Sequence, residues 1–203
     1  MKVGRIAAQC KYSMIGLFAF VSLCPSLALA QDDHSHMLTA DQHQQTPAQK
    51  KQANDLVQIV RDATRQFLNG PDSHHKLVFG CVSGGDFGAM GMHFLNADLL
   101  DGEVVPEEPE ILLFEPLSNG DVRLTGVDYL VDKAAWEANP EHKGPPELHG
   151  QLFHLFDSPN RFGLDPFYTL HVWAWKDNPN GTFTNWNPNV SCDAFNPPPQ
   201  PER

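Results

Sequence analysis

At residues 69–71, "NGP", the hydrophobic period of the chain changes, and this change constrains the fold more than any other feature. Before it, Ala53, Leu56, Val60, Ala63 and Phe67 recur at three- and four-residue spacing, the single apolar stripe of an amphipathic helix. "TPAQ" supplies a helix start, with Thr46 as N-cap, Pro47 at the first helical position and Gln49 closing a capping box. Asn69, Gly70 and Pro71 supply the stop. After it the runs have strand character: "HKLVFGCVS" (75–83), "GMHFLN" (91–96), "EILLFEP" (110–116), "DVRLTGVDYLV" (121–131), "GQLFHLF" (150–156) and "FYTLHVWAWK" (167–176). "LSNGD" between the third and fourth is the clearest hairpin signal, and "AAWEAN" adds a short helix. One helix followed by mostly antiparallel strands predicts the α+β class, an N-terminal helix packed on a mostly antiparallel sheet.

The first 30 residues stand apart. Lys2, Arg5 and Lys11 form a positive region, "MIGLFAFVSLC" is an uncharged apolar run too short to span a bilayer, and "ALAQ" offers small residues at Ala28 and Ala30. This predicts a signal peptide over 1–30 and a secreted or periplasmic protein. The expected organisation continues with a disordered leader over 31–45, one α+β domain over 46–195 and a Pro-rich tail over 196–203. Cleavage would remove three of the 14 Lys+Arg and none of the 25 Asp+Glu, taking the net charge from −11 to −14. So acidic a chain is a poor partner for nucleic acid or anionic lipid. No apolar run beyond the signal is long enough for a membrane span. Of four cysteines, Cys81 and Cys192 survive cleavage, and in an oxidising compartment two leftover cysteines pair.

Strand alternation over residues 167–176 puts Tyr168, Leu170, Val172 and Ala174 on one face and Thr169, His171, Trp173 and Trp175 on the other. His171 with two tryptophans describes a small-molecule pocket, and equally an ordinary core holding one hydrogen-bonded imidazole. His93 and His154 also sit mid-strand, and Glu115 ends an apolar strand. Should these strands be neighbours, two or three imidazoles and a carboxylate could bind a divalent transition metal. No "HExxH" helix and no "HxH" pair accompanies them, so convergence would have to come from tertiary structure. His34, His36, Met37 and His43 of the leader are a lesser candidate for Cu(II) or Ni(II).

Other chemistries lack their signatures. There is no "GxSxG" elbow and no P-loop. "GCVSGGDFGAMG" matches no nucleotide fingerprint, and its glycines suit tight turns or close backbone approach. "LLDGEVVPEEPE" lacks the ligand order of a calcium loop. "KDNPNGTFTNWNPNVSC" reads as structural closure, with a turn over 178–181, Trp186 against the sheet edge and Cys192 pinning the segment back.

"GCVSGGDFGAMGMHFLN", "ILLFEP", "GVDYLV", "GQLFHLFDSPNRFGL" and "FYTLHVWAWKDNPNGTFTNWNPNVSC" together resemble a group of secreted bacterial hypothetical proteins of unknown function, over roughly Phe79 to Cys192. The resemblance implies a shared fold and assigns no activity.

The leading expectation is a binding module for a small molecule or metal ion. Its pocket is lined by His171, Trp173 and Trp175, and any metal is held by His93, His154, His171 and Glu115. The alternatives are a metal-dependent enzyme using the same histidines, and a structural or interaction protein with no ligand site. Intact-mass measurement of the secreted protein should give a chain beginning at Gln31. A mass that retains residues 1–30 would remove the secretion reading.

Overall fold

The structure, a computed structural model, describes residues 45–196. The expected signal peptide, all of the leader but Gln45, and the tail from residue 197 lie outside the described residues.

The helix expected from the stripe runs over Pro47–Thr64 (α1). Its capping box is complete: Thr46 N–H donates to Gln49 Oε1 at 2.9 Å, and Gln49 N–H donates to Thr46 Oγ1 at 3.2 Å. It begins well inside the chain, is the first element among the described residues, and the class is α+β as expected. Ala53, Leu56, Val60 and Thr64 are its buried face. Burying Leu56 and Val60 fully stabilises by about 1.5–3 kcal/mol each. Thr64 continues the stripe with a polar atom, its hydroxyl donating to the Val60 carbonyl and accepting from Trp175 Nε1.

The strands are β1 (His75–Ser83), β2 (Ala89–Asn96), β3 (Ile111–Pro116), β4 (Val122–Asp132), β5 (Glu147–Leu148), β6 (Gln151–Leu152), β7 (His154–Phe156) and β8 (Phe167–Val172). Six form one antiparallel sheet in the order β1-β2-β3-β4-β8-β7, and β5 and β6 make a small hairpin of their own. The "LSNGD" turn joins β3 to β4 as read from the sequence. A short helix, Lys133–Ala138 (α2), follows β4, capped by Asp132.

Two expected strands are corrected. Residues 150–156 do not form one strand, because the chain breaks at Phe153. That ring is buried in the helix-side core, and its N–H donates to the Pro146 carbonyl instead of a ladder. Residues 167–176 form a strand only to Val172. There Trp173 N–H turns to Thr182, Ala174 N–H bonds the Val172 carbonyl, and Trp175 and Lys176 both donate to the Thr125 carbonyl. Alternation is lost at that tight turn.

Both faces of the sheet are covered. One carries Met92, Leu112, Phe114, Leu124, Val127, Tyr129, Leu170 and Val172 against Leu56 and Val60 of α1. The other carries Ala89, Ile111, Leu113 and Trp173 with Val190 of the C-terminal segment. That segment is held by paired backbone bonds between Ala89 and Asn187. Gly88 permits the approach: a Cβ there would lie 2.2 Å from the Asn187 carbonyl oxygen, and its φ is +89°. The asparagines of "NPNG" and "NPN" serve the closure. Asn178 bridges Thr184 and the Trp186 carbonyl, and Asn187 bridges the Asp177 carbonyl and Asn189 N–H.

Cys81 and Cys192 form the expected disulfide, with a Cα–Cα distance of 5.7 Å and a sequence separation of 111. Among the described residues no helix is long and apolar enough to cross a membrane. Replacing both cysteines by serine should lower stability in urea by about 4–5 kcal/mol, the loop-closure entropy of so long a loop. An unchanged denaturation midpoint would mean the closure holds without the bond.

Candidate metal centre

The second face of the sheet, the one opposite α1, holds a polar cluster. Asp128 of β4 lies directly opposite His171 of β8. Ile111 of β3 sits across from Asp128 on the other side, and His93 of β2 pairs with Leu113 of the same strand. Cross-strand partners project to the same side of an antiparallel sheet. The sheet therefore delivers His93, Asp128 and His171 to one place without needing a helix or loop. All three are buried, and one ligand atom from each lies within 4.8 Å of the others. The rings of His93 and His171 meet edge-on at 6.0 Å.

The hydrogen bonds differ among the three. His93 Nδ1 is 3.1 Å from the Gly91 carbonyl oxygen. A carbonyl only accepts, so Nδ1 carries the proton and Nε2 keeps its lone pair free. Asp128 accepts a short hydrogen bond from the Thr169 hydroxyl. His171 Nδ1 is 3.4 Å from Asp128 Oδ1 but not aligned for a hydrogen bond, and both of its ring nitrogens are buried without a partner. Buried imidazoles ordinarily find partners, and one that does not asks for an explanation.

Burial sets the charges. Desolvation pulls His93 down to about 4, opposed by the Asp128 carboxylate, and holds His171 neutral, well below its ordinary value. Desolvation also raises Asp128 to about 6, opposed by His93 and by the Thr169 bond. At neutral pH the cluster is therefore two neutral imidazoles and one carboxylate, the protonation state of metal ligands.

A cavity of about 20 Å³ adjoins the cluster, lined by Phe79, Met90, Ile111, Leu130, Phe156, Phe162 and Phe167 besides His93, Asp128, Thr169 and His171. One water needs ~10–15 Å³, so the space suits one water or an ion.

The expected site residues divide. His93 and His171 come together. Trp173 shares the face of His171, ring to ring at 6.0 Å, but its indole N–H is spent on the Thr184 carbonyl and it does not line the cavity. Trp175 lies on the opposite face, bonded to Thr64 of α1, because the turn at Trp173 ends the alternation. A pocket walled by His171, Trp173 and Trp175 is not formed; phenylalanines take the place of the tryptophans. His154 stays at the exposed edge strand opposite Thr169, with Nδ1 3.0 Å from Asn185 Oδ1. Glu115 turns to Lys176, at 2.5 Å, and to the N–H of Ser191. These two are outside the cluster. Asp128 was not foreseen. Its signal was a single acid inside the apolar run "TGVDYLV", weak until β4 is known to pair with the strand of His171.

A second buried acid stands nearby. Glu110 is 2% exposed and accepts from Leu130 N–H at 3.0 Å. Burial, with Asp128 and Asp101 adding, pushes its pKa from 4.5 up to about 8. Folded Glu110 thus keeps a proton that the unfolded chain has lost. That contribution is fully present below about 4.5 and is lost as pH rises through 8. The depressed histidines act in the opposite direction, but only below their unfolded value of 6.5. Between about pH 6.5 and 8.5 the thermal unfolding midpoint should therefore fall, and Glu110→Gln should flatten that slope. A wild-type midpoint that rises over this interval would contradict the assignment. Protein-family models, curated proteins and solved structures offer no match to the chain, so the chemistry of this centre is read from its own residues.

Proposed function

We propose that this is a secreted or periplasmic metal-binding protein that holds one divalent transition-metal ion between His93, Asp128 and His171. The observation that carries the reading is His171. Its two ring nitrogens are buried and unpartnered beside a carboxylate and a cavity. Leaving a buried polar atom unsatisfied costs about 1–3 kcal/mol, and a coordinated ion would satisfy one of the two nitrogens. No side chain or backbone group among the described residues hydrogen-bonds the ring of His171, which favours a ligand over a core held together by such a bond. His93 is prepared in the way of metal-bound histidines, one nitrogen fixed by a backbone carbonyl and the other free. The Thr169 hydroxyl likewise orients Asp128.

Two imidazoles and a carboxylate suit zinc, iron and their neighbours. Donor atoms around a tetrahedral ion with bonds of 2.0–2.1 Å lie ~3.3 Å apart, the spacing that His171 and Asp128 already have. Three protein ligands would leave an ion able to take an exchangeable ligand, and a cavity lies beside them. That supports a second reading, a metal-dependent enzyme built on the same residues. Secretion is supported by the disulfide, which suits an oxidising compartment.

The test is metal content after equilibration with zinc or cobalt(II) and gel filtration. Wild-type protein should retain about one equivalent and gain thermal stability with added metal. His171→Ala and Asp128→Asn should each weaken binding by more than about hundredfold. His154→Ala, Glu115→Gln and deletion through Gln45 should retain it. Wild-type protein that keeps no metal, or loses it equally with the leader deletion, would overturn the assignment.

A further inference from the structure

Resting on that metal centre, we propose that its exchangeable ligand is a small monoanion, admitted from a vestibule marked by Arg161 past the ring of Phe79.

Two cavities adjoin. The inner one holds the His93–Asp128–His171 cluster. The outer one, about 220 Å³, is lined by Phe79, Cys81, Val82, Arg161 and Phe162. Phe79 and Phe162 belong to both linings and meet ring to ring at 5.1 Å, so they form the partition. The Phe79 ring also reaches His93, at 6.4 Å.

The placement of Phe79 is built into the backbone. The β1–β2 register shifts between Val78, which pairs with His93, and Cys81, which pairs with Met92. Phe79 occupies that bulge with φ +60°, a conformation a bulky side chain adopts only under constraint. Bulges re-aim side chains beside functional sites. Here the result is a ring 45% exposed at the surface that also lines the inner cavity. Phe79 belongs to neither hydrophobic cluster, so the proposed admission asks its ring to move without repacking the core.

Charge selects the ligand. A divalent ion with one carboxylate and two neutral imidazoles leaves one net positive charge. Met90, Ile111, Leu130, Phe156 and Phe167 around it cannot compensate, and an uncompensated charge in such surroundings is costly. One monoanion balances it, a neutral ligand does not, and a dianion overshoots. The inner cavity suits one water, so the anion's donor atom would sit there and the rest of it would extend towards the Phe79 ring. Arg161 then has a use. Its guanidinium lies over the rings of Phe162 and Trp186 at 6.0 and 5.6 Å and donates to a carbonyl, that of Ser83, so these contacts leave its charge unbalanced. In a chain of net charge −11 it places a cation at this mouth.

The experiment uses the mature chain loaded with cobalt(II) and azide as the probe, followed by visible absorption in a rapid-mixing instrument. Azide should change the cobalt spectrum saturably. Exposed Arg161→Gln should slow azide association about tenfold, with the same end-point spectrum, and added salt should slow the wild type towards it. Phe79→Gly relieves the positive φ as it removes the ring. It should speed exchange and admit benzoate, which the wild type excludes. Cobalt bound with no azide response, or with both variants reacting at the wild-type rate, would overturn this inference alone. Wild-type protein that takes up no cobalt would overturn the metal centre together with it.

Discussion

The antiparallel pairing of β4 with β8 is the constraint on which the rest of the structure depends. Val127, Tyr129 and Val131 are set against Val172, Leu170 and Tyr168, and that row becomes the floor beneath α1. The same register sets Asp128 against His171 and Leu130 against Thr169 on the reverse side. A slip of one residue would exchange the rows. With β4 held in place by β3, a slip of β8 would drive His171 under the helix and turn Leu170 to the reverse side. Core and centre are thus specified by one pairing. Gly126 protects its end, since a Cβ there would lie 2.3 Å from the Val172 carbonyl oxygen.

A sheet buried on both faces needs two covers, and the chain supplies them by different means. One is α1, an amphipathic helix whose own capping and stripe suffice, with Arg61 tying it to the Ala174 carbonyl at 2.7 Å. The other is the irregular segment after β8, which has few apolar residues to drive it down. Its backbone groups are satisfied by asparagine side chains, and its position is secured by the Ala89–Asn187 bridge and the disulfide to β1. The disulfide matters to the centre for this reason: it holds the cover over the polar face, and Cys81 itself lines the vestibule.

The centre occurs where local consistency fails. An acid inside an apolar strand, an imidazole with no hydrogen bond and a phenylalanine at positive φ each carry a cost, and the three lie around one cavity. Conflicts of this kind gather at functional sites because the surrounding fold can overdetermine them. Here the surroundings are Ile111, Leu130 and the phenylalanines, whose apolar side chains offer the polar atoms no hydrogen-bond partner.

By itself the sequence determined the class, the helix with its cap, the hairpin at "LSNGD", the disulfide and the presence of histidines within strands. All of these follow from local periodicity, turn chemistry or simple counting. It misplaced Trp175 and overlooked Asp128 for two reasons, both long-range. Alternation predicts a side chain's face only while the ladder continues, and the tight turn at Trp173, imposed by Thr125 and Thr182 from elsewhere in the chain, ended it. Which strands are neighbours, and in what register, is a property of long-range pairing that spacing along the chain does not encode. Tertiary structure alone decided that His93 and His171 meet over Asp128, while His154 remains at the edge and Glu115 is taken by Lys176.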